Sequence, residues 1–280
     1  SSANVAAAFV VKEPALLVDD LLGFLETVEP DIRRQMQEIE KQQGFDIRND
    51  FAAPLGGEFA FAIDGPILPT PSWKLILEVY DQVKLQNTFE RAIEKLNQFA
   101  VLHGKGKLNL ESTSNGDRTY YSVRSADAGL EVHYTFANGY LIAAPNRALL
   151  DQAIWNRDAG NTLVRSSKFM NALPQDGNTH FSAIFYHDLA PLIGPLAERM
   201  KNAGGSAAEK ERQAFGSIDA NAPPTLAYAY AQGDRITLAA NTDGGPFGLS
   251  PASLIGMPHS FQMQHILMNA MGDKNVQKKE

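Results

Sequence analysis

The sequence predicts an α+β fold in which helices pack mainly on one face of an antiparallel β-sheet. Three observations lead to this prediction. Strand-like segments alternate large apolar residues with small or polar ones, which is typical of a sheet with one buried face. Segments with helical periodicity precede the first strand pair and are placed to cover it. Turn sequences such as Asn115-Gly116 and Asn138-Gly139 join neighbouring strands as tight hairpins.

The composition is that of a globular protein and excludes several function classes. Of the 280 residues, 44% are hydrophobic and 20% are charged, which is sufficient for a sizeable core. The net charge of −7 argues against a nucleic-acid partner, because such binding requires a basic surface. No apolar run reaches the roughly 18 residues of a transmembrane segment. The absence of cysteine excludes disulfides, thiolate catalysis and cysteine-ligated metals.

The first 45 residues predict a strand followed by a helical hairpin. The strand is Asn4–Val11. A helix then runs from Pro14 to about Thr27, since proline is tolerated in the first helical turn. Glu29-Pro30 opens a second helix, and Gly44 stands at its C-terminal cap. Each helix carries one apolar stripe, formed by Leu17, Leu21, Phe24 and Leu25 in the first and by Ile32, Met36 and Ile39 in the second.

The next two strands are those around which the rest of the chain is organised. Phe59–Ile63 alternates large and small residues, and Trp73–Val79 places its large residues on one face. A helix follows, for which Asp81 or Asn87 is the N-cap. Its predicted buried stripe consists of Phe89, Ile93, Leu96 and Ala100.

The middle of the chain predicts a β-meander followed by two helices. Asn146 caps the first of these helices, and Ser166–Leu173 is a short capped helix closed by Pro174. The four strands of the meander are Leu108–Ser112, Arg118–Val123, Glu131–Phe136 and Tyr140–Ala144.

A strand–helix–helix–strand–strand unit occurs twice, and we interpret this as an internal duplication. Phe181–Ala197 aligns without a gap on Ala6–Leu22, so that Leu192 and Leu196 stand opposite leucines of the first helix. Leu226–Tyr230 repeats the large–small alternation of the strand that begins at Phe59.

The duplication divides the chain into three parts. Residues 1–165 form the first α+β half and include the meander, and residues 166–243 form the second half. The tail, residues 244–280, contains a Met-rich amphipathic helix and a disordered end. The methionines either dock this helix on its own domain or offer an adaptable binding surface.

Few residues suggest chemistry, and none belongs to a recognised catalytic motif. His187-Asp188 follows a strand at a predicted helix start, where an anion or a reacting group could bind. Asp188 as a simple N-cap explains the same pair. Glu58, after Gly56-Gly57, is a candidate general acid, although such a residue more often pairs with the backbone or an arginine.

Aromatic and histidine side chains give further weak candidates. Trp73 and Tyr80, together with other strand tyrosines, could line a ligand groove, whereas strand aromatics usually pack in the core. The histidines lack the spacing of a metal-binding helix. We therefore predict no catalytic residue, no metal and no cofactor.

The run Leu55–Ala62 after a helical hairpin, Trp73–Asp81 with its helix, the Asn138-Gly139 hairpin with Asn146, and Ser166–Leu173 together resemble a known family. This is the bacterial family of exported proteins called domain of unknown function 3352, and the resemblance spans roughly Asn4 to Asp243. It implies export to the periplasm or the cell exterior and no established activity, and it supplies no functional residue.

The leading prediction is a non-enzymatic, extracytoplasmic binding or structural module whose partner is an unknown protein. The first alternative is a carrier that holds an apolar small molecule or lipid between sheet and helices. The second alternative is a hydrolase of unrecognised type built around His187, Asp188 or Glu58.

Overall fold

The computed structural model describes residues 3–65, 72–125, 127, 129–175, 180–188, 224–232 and 235–241. These residues form one antiparallel sheet of ten strands together with five α-helices, so the predicted α+β class is confirmed. The strands are β1 (Val5–Val10), β2 (Leu55–Ile63), β3 (Trp73–Val79), β4 (Asn109–Asn115), β5 (Arg118–Ser125), β6 (Leu130–Ala137), β7 (Tyr140–Ala144), β8 (Ala183–His187), β9 (Thr225–Gln232) and β10 (Arg235–Ala240). The helices are α1 (Pro14–Val28), α2 (Ile32–Gln43), α3 (Gln82–Leu102), α4 (Arg147–Asp158) and α5 (Ser167–Ala172), with a π-helical turn at Ile47–Ala52 and a 3-10 turn at Leu163–Arg165.

The strand order is β10-β9-β8-β1-β2-β3-β7-β6-β5-β4, so strands from both predicted halves lie in one sheet. The N-terminal strand β1 lies inside the sheet between β2 and β8. The predicted meander, β4 to β7, joins the sheet through the β3–β7 pair. On the other side of β1, the strands β8, β9 and β10 are consecutive neighbours.

The predicted duplication is consistent with the strand order but not with the alignment given above. Two antiparallel neighbours related by a twofold axis keep equivalent residues on the same face of the sheet. Phe9 and Phe185 lie on the same face, whereas the ungapped alignment pairs Phe185 with Val10 on the other. The alignment is therefore wrong by one residue, because a shift of one residue moves a side chain to the opposite face. The second pair of predicted helices lies outside the described residues, and the duplication stays a prediction.

One face of the sheet, which we call the α3 face, packs against α3. Leu85 of α3 is almost fully buried and contacts a cluster centred on Tyr134 and Leu141. The strand β3 contributes Leu75, Leu77 and Val79 to this cluster, as its alternation predicted. The π-helical turn lies on the same side, since Phe51 contacts Phe89 of α3, and α1 packs against that turn.

The opposite face, which we call the α4 face, packs against the two shorter C-terminal helices. Leu150 and Ile154 of α4 are buried against Ile142 and Ala144. Farther along the sheet, Phe169 of α5 contacts Tyr186 and Leu226 edge-on, and all three side chains are buried. Helices therefore lie on both faces, with α1 to α3 on one side and α4 and α5 on the other.

The turns and caps follow local sequence signals. Asn138 and Gly139 adopt φ values of 52° and 82°, as the hairpin between β6 and β7 requires. The side chain of Asp81 accepts a hydrogen bond from the Lys84 N–H, so Asp81 and not Asn87 caps α3. Ser166 makes no side-chain capping bond, contrary to the prediction of a capped α5.

The predicted apolar stripe of α1 is not buried. The side of α1 that contacts α2 and the π-helical turn is partly polar, because Asp19 pairs with Arg48 and Glu26 pairs with Arg33. Leu17, Leu21, Phe24 and Leu25 are all exposed. In α3, Leu96 is likewise exposed, although the periodicity assigned it to the buried stripe.

Candidate interaction surface

The first candidate surface is the exposed apolar side of α1. Its side chains, which we call the α1 stripe, are Leu17, Leu21, Phe24, Leu25 and Val28, and Phe24 and Val28 are 66% and 75% exposed. Leu17, Leu21, Phe24 and Val28 are spaced by four, three and four residues. This spacing is that of a coiled-coil seam, in which one helix packs along another. The stripe is therefore shaped to receive a second amphipathic helix.

The charges beside the α1 stripe are acidic. The sequence of α1 contains no lysine or arginine, and Asp20 and Glu29 are exposed beside the stripe or just past its end. Arg33 and Arg48 are engaged with Glu26 and Asp19 on the inner side of the helix. A helix that packs on this surface with lysine or arginine at its margins would meet complementary charge.

The second candidate surface is a shallow depression of about 220 Å³ over β1, β8, β9 and β10. Its floor consists of alanines on the α3 face, Ala7, Ala183, Ala227 and Ala229, and its walls are Phe9, Phe185 and Leu238. We call this depression the alanine trough. Phe9 stacks on Phe59 with a centroid distance of 4.9 Å, which holds one wall in place. Phe9 and Leu238 are 41% and 43% exposed.

The alanine trough arises from the alternation of β9. Its large residues, such as Leu226 and Tyr228, point to the α4 face, where they pack with α5. The small residues between them point to the α3 face and leave space there. The large–small alternation was visible in the sequence, but the face on which the space opens depends on the register of pairing.

A third surface is the groove between α3 and β4, with a volume of about 850 Å³. The side chain of Asn97 closes its base by bonding to both the N–H and the C=O of Leu108. Apolar side chains line the groove together with charged ones, namely Glu90, Glu94, Lys107 and Glu111. The groove is large enough for a small molecule, but its charged walls suit an apolar ligand poorly.

Glu58, the predicted general-acid candidate, forms a local hydrogen-bonded cluster on the α4 face. The Tyr140 hydroxyl donates to Glu58 Oε2 over 2.6 Å, and the Glu58 N–H donates to Glu78 Oε2. Gly56 is needed here because a Cβ at this position would lie 2.3 Å from the Glu78 carboxylate. The glutamate is exposed. Its hydroxyl partner was not predicted, since the contact joins distant strands.

The hydrogen bond to Glu58 raises the pKa of Tyr140 to about 12 from 10.0. A pKa that is raised in the folded state means that the proton contributes stability. This contribution is present below about pH 10 and is lost as the pH rises to about 12. We expect Glu58→Gln to lower the Tyr140 pKa, measured by NMR titration of ring-labelled tyrosine, with Tyr140→Phe to assign the signal. An unchanged pKa in Glu58→Gln would show that this hydrogen bond is not formed.

His187 and Asp188, the predicted anion-site pair, lie at the end of β8 and are both buried. Burial lowers the pKa of His187, which opposes protonation of its ring. Asp188 accepts a hydrogen bond from Lys168 over 2.6 Å, and its N–H bonds to the Asn4 carbonyl. Asp188 therefore ties α5 to the sheet. The helix that it was predicted to cap lies outside the described residues.

The structure does not bring Glu58 together with His187. Glu58 pairs with Val10 of β1, and His187 pairs with Val5 of the same strand. These positions are about 16 Å apart along β1 at a rise of about 3.3 Å per residue. The two side chains also point to opposite faces of the sheet. The residues named for the hydrolase alternative thus occupy separate places.

The remaining candidates are also dispersed. Trp73 is half-buried in the α3-face cluster, whereas Tyr80 is exposed just before α3. His133 contacts Glu131 over 2.7 Å, and His259 and His265 lie outside the described residues. Within the described ranges, no three metal-ligating side chains come together.

Comparisons with known proteins give no relative. The chain matches no protein-family model, no curated protein and no solved structure. The resemblance to domain of unknown function 3352 therefore stays a prediction. Among the helices of the described residues, none has the length and apolar character of a membrane span.

Proposed function

We propose that this protein is a non-enzymatic, extracytoplasmic binding module that recognises an amphipathic helix of a partner protein. The α1 stripe is the observation that carries the proposal, because it exposes five large apolar side chains at the spacing of a helix–helix seam. Exposed apolar patches of this kind mark interaction surfaces in soluble proteins. The acidic margin of α1 favours a partner helix with basic margins.

The carrier alternative receives less support from the geometry. Ligand sites usually have volumes of about 300–1,000 Å³ and are lined mostly by apolar groups. The alanine trough is apolar but smaller than this range, at about 220 Å³. The groove beside α3 is within the range but carries charged walls. A partner helix needs no enclosed volume, and the α1 stripe offers it a continuous apolar surface.

A synthetic peptide tests the proposal directly. The probe is a fluorescein-labelled helix with leucines at the spacing of the α1 stripe and lysines elsewhere, and binding is followed by fluorescence anisotropy. We expect Leu21→Asp/Phe24→Asp to weaken binding at least about tenfold, which corresponds to 1.4 kcal/mol. The control Val83→Asp replaces an exposed apolar residue of α3 and is expected to bind like wild type.

Charge provides the second arm of the experiment. A peptide with the same leucines and glutamate in place of lysine is expected to bind more weakly, increasingly so at low salt. Equal binding by wild type and Leu21→Asp/Phe24→Asp would refute the role of the α1 stripe. Self-association in sedimentation velocity that is lost in the same variant would identify the partner helix as α1 of a second copy.

A further inference from the structure

The alanine trough has one face covered and one face open. On the α4 face, α5 packs on β8 and β9 through Phe169, Tyr186 and Leu226. On the α3 face, the same two strands present only alanines and the Phe185 wall. An apolar face with exposed Phe9 and Leu238 beside it is costly to leave in water, since each large side chain gains roughly 1.5–3 kcal/mol on burial.

The trough is not uniformly exposed along the strands. At the end where β8 stops and β9 begins, the α3-face residues His187 and Thr225 are each only 2% exposed. At the opposite end, Phe9 is 41% exposed. Burial on the α3 face is thus greatest at the end of the sheet where the chain leaves β8 at Asp188 and re-enters β9 after Pro224.

The chain between these two points has the composition needed to cover the trough. Residues 189–223 connect β8 to β9 and lie outside the described residues. Their sequence begins with Leu189, Leu192, Ile193 and Leu196, whose spacing of three to four residues forms one apolar stripe. Because α5 already packs on the α4 face of these strands, the α3 face is the side on which this stripe finds apolar surface.

We propose that the leucines of segment 189–200 pack on the alanine trough, so that this face is completed by the same chain and is not a binding site for a partner or a lipid. The small floor residues allow close approach of the segment, and Phe9 and Leu238 flank it. The proposal is independent of the α1 stripe, which lies on a different element.

Cysteine labelling tests the proposal, because the chain has no natural cysteine. Leu238→Cys places a thiol on the wall of the trough, and Thr113→Cys places a reference thiol on the exposed edge strand β4. If segment 189–200 packs on the trough, the maleimide reaction at Leu238→Cys is expected to be at least about tenfold slower than at Thr113→Cys, because it requires local opening. Equal rates would overturn the proposal.

Two further variants identify what protects the thiol. Leu192→Asp/Leu196→Asp is expected to raise the rate at Leu238→Cys towards the reference rate, whereas the matched Leu17→Asp/Leu21→Asp on α1 is not. Protection that depends on protein concentration would instead indicate a second copy, and protection lost on organic extraction would indicate an apolar ligand. Either result would overturn the proposal.

A cross-link keeps the test valid if the aspartate variant fails to fold. Leu196→Cys combined with Leu238→Cys is expected to form an intramolecular link with a short bismaleimide in dilute protein. Leu196→Cys combined with Thr113→Cys is the negative control. Absence of the first link in protein that melts cooperatively would contradict packing of the segment on the trough, whatever the result of the α1 peptide experiment.

Discussion

Tyr134→Ala is expected to lower the free energy of unfolding by about 3–5 kcal/mol, the largest effect of any single core truncation proposed here. Tyr134 is buried, stacks on Tyr121 at 4.9 Å and meets Phe89 and Phe136 edge-on. Truncation would leave a cavity between α3 and the sheet, since these partners belong to three different elements. Urea unfolding followed by circular dichroism measures the change.

Tyr134→Phe is the matched control for the hydroxyl group. The hydroxyl donates to Gln86 Oε1 over 3.0 Å inside the core, and Phe would remove this donor without opening a cavity. We expect a loss of about 1–3 kcal/mol, the cost of a buried polar group that loses its partner. A Tyr134→Ala variant that loses less than its Phe counterpart would contradict the described packing of α3.

Lys74→Met is the second change with a large expected effect, again about 3–5 kcal/mol. Lys74 pairs with Asp64, and the two side chains are only 7% and 13% exposed. Removal of the lysine would leave the Asp64 carboxylate buried beside apolar residues. Chemical unfolding at neutral pH measures the loss of stability.

The double variant Lys74→Met/Asp64→Leu separates the pair from its surroundings. Replacement of both charges is expected to recover most of the lost stability, because no unpaired charge remains. The exposed pair Arg34–Asp31 serves as the reference, and Arg34→Met is expected to cost at most about 1 kcal/mol. If Lys74→Met behaves like Arg34→Met, the Lys74–Asp64 pair is open to solvent.

The elements that the sequence predicted well are those with local signals. The meander follows from hairpin residues such as Gly116 and Gly139, which supply positive φ values where the chain reverses. Gly44 and Asn146 mark helix ends through their own conformation and hydrogen bonds. Such features depend on residues within one turn of the chain, so the sequence pattern is sufficient.

The strand order and the faces could not be predicted in the same way. The pairing of β1 with β8 joins residues at the two ends of the described chain, and no local pattern records it. The alternation of β9 predicted a buried face but not which face, so the alanine trough was missed. A register error of one residue was enough to misalign the proposed repeat.

The α1 stripe shows the limit of helical periodicity. The spacing of Leu17, Leu21 and Phe24 correctly predicted an amphipathic helix from Pro14 onwards. It did not predict that the inner side of α1 would be held by the Asp19–Arg48 and Glu26–Arg33 pairs, leaving the leucines exposed. Periodicity identifies an apolar side of a helix, but it does not identify the surface that this side contacts.

The position of β1 inside the sheet also affects the order in which the protein is made. Val5 emerges from the ribosome among the first residues, yet its partner His187 is synthesised much later. At about 5–20 residues per second, β1 would wait on the order of 10–40 s with one edge unpaired. An unpaired edge is a template for aggregation, so nascent chains of this protein are expected to depend on chaperones until β8 has been synthesised.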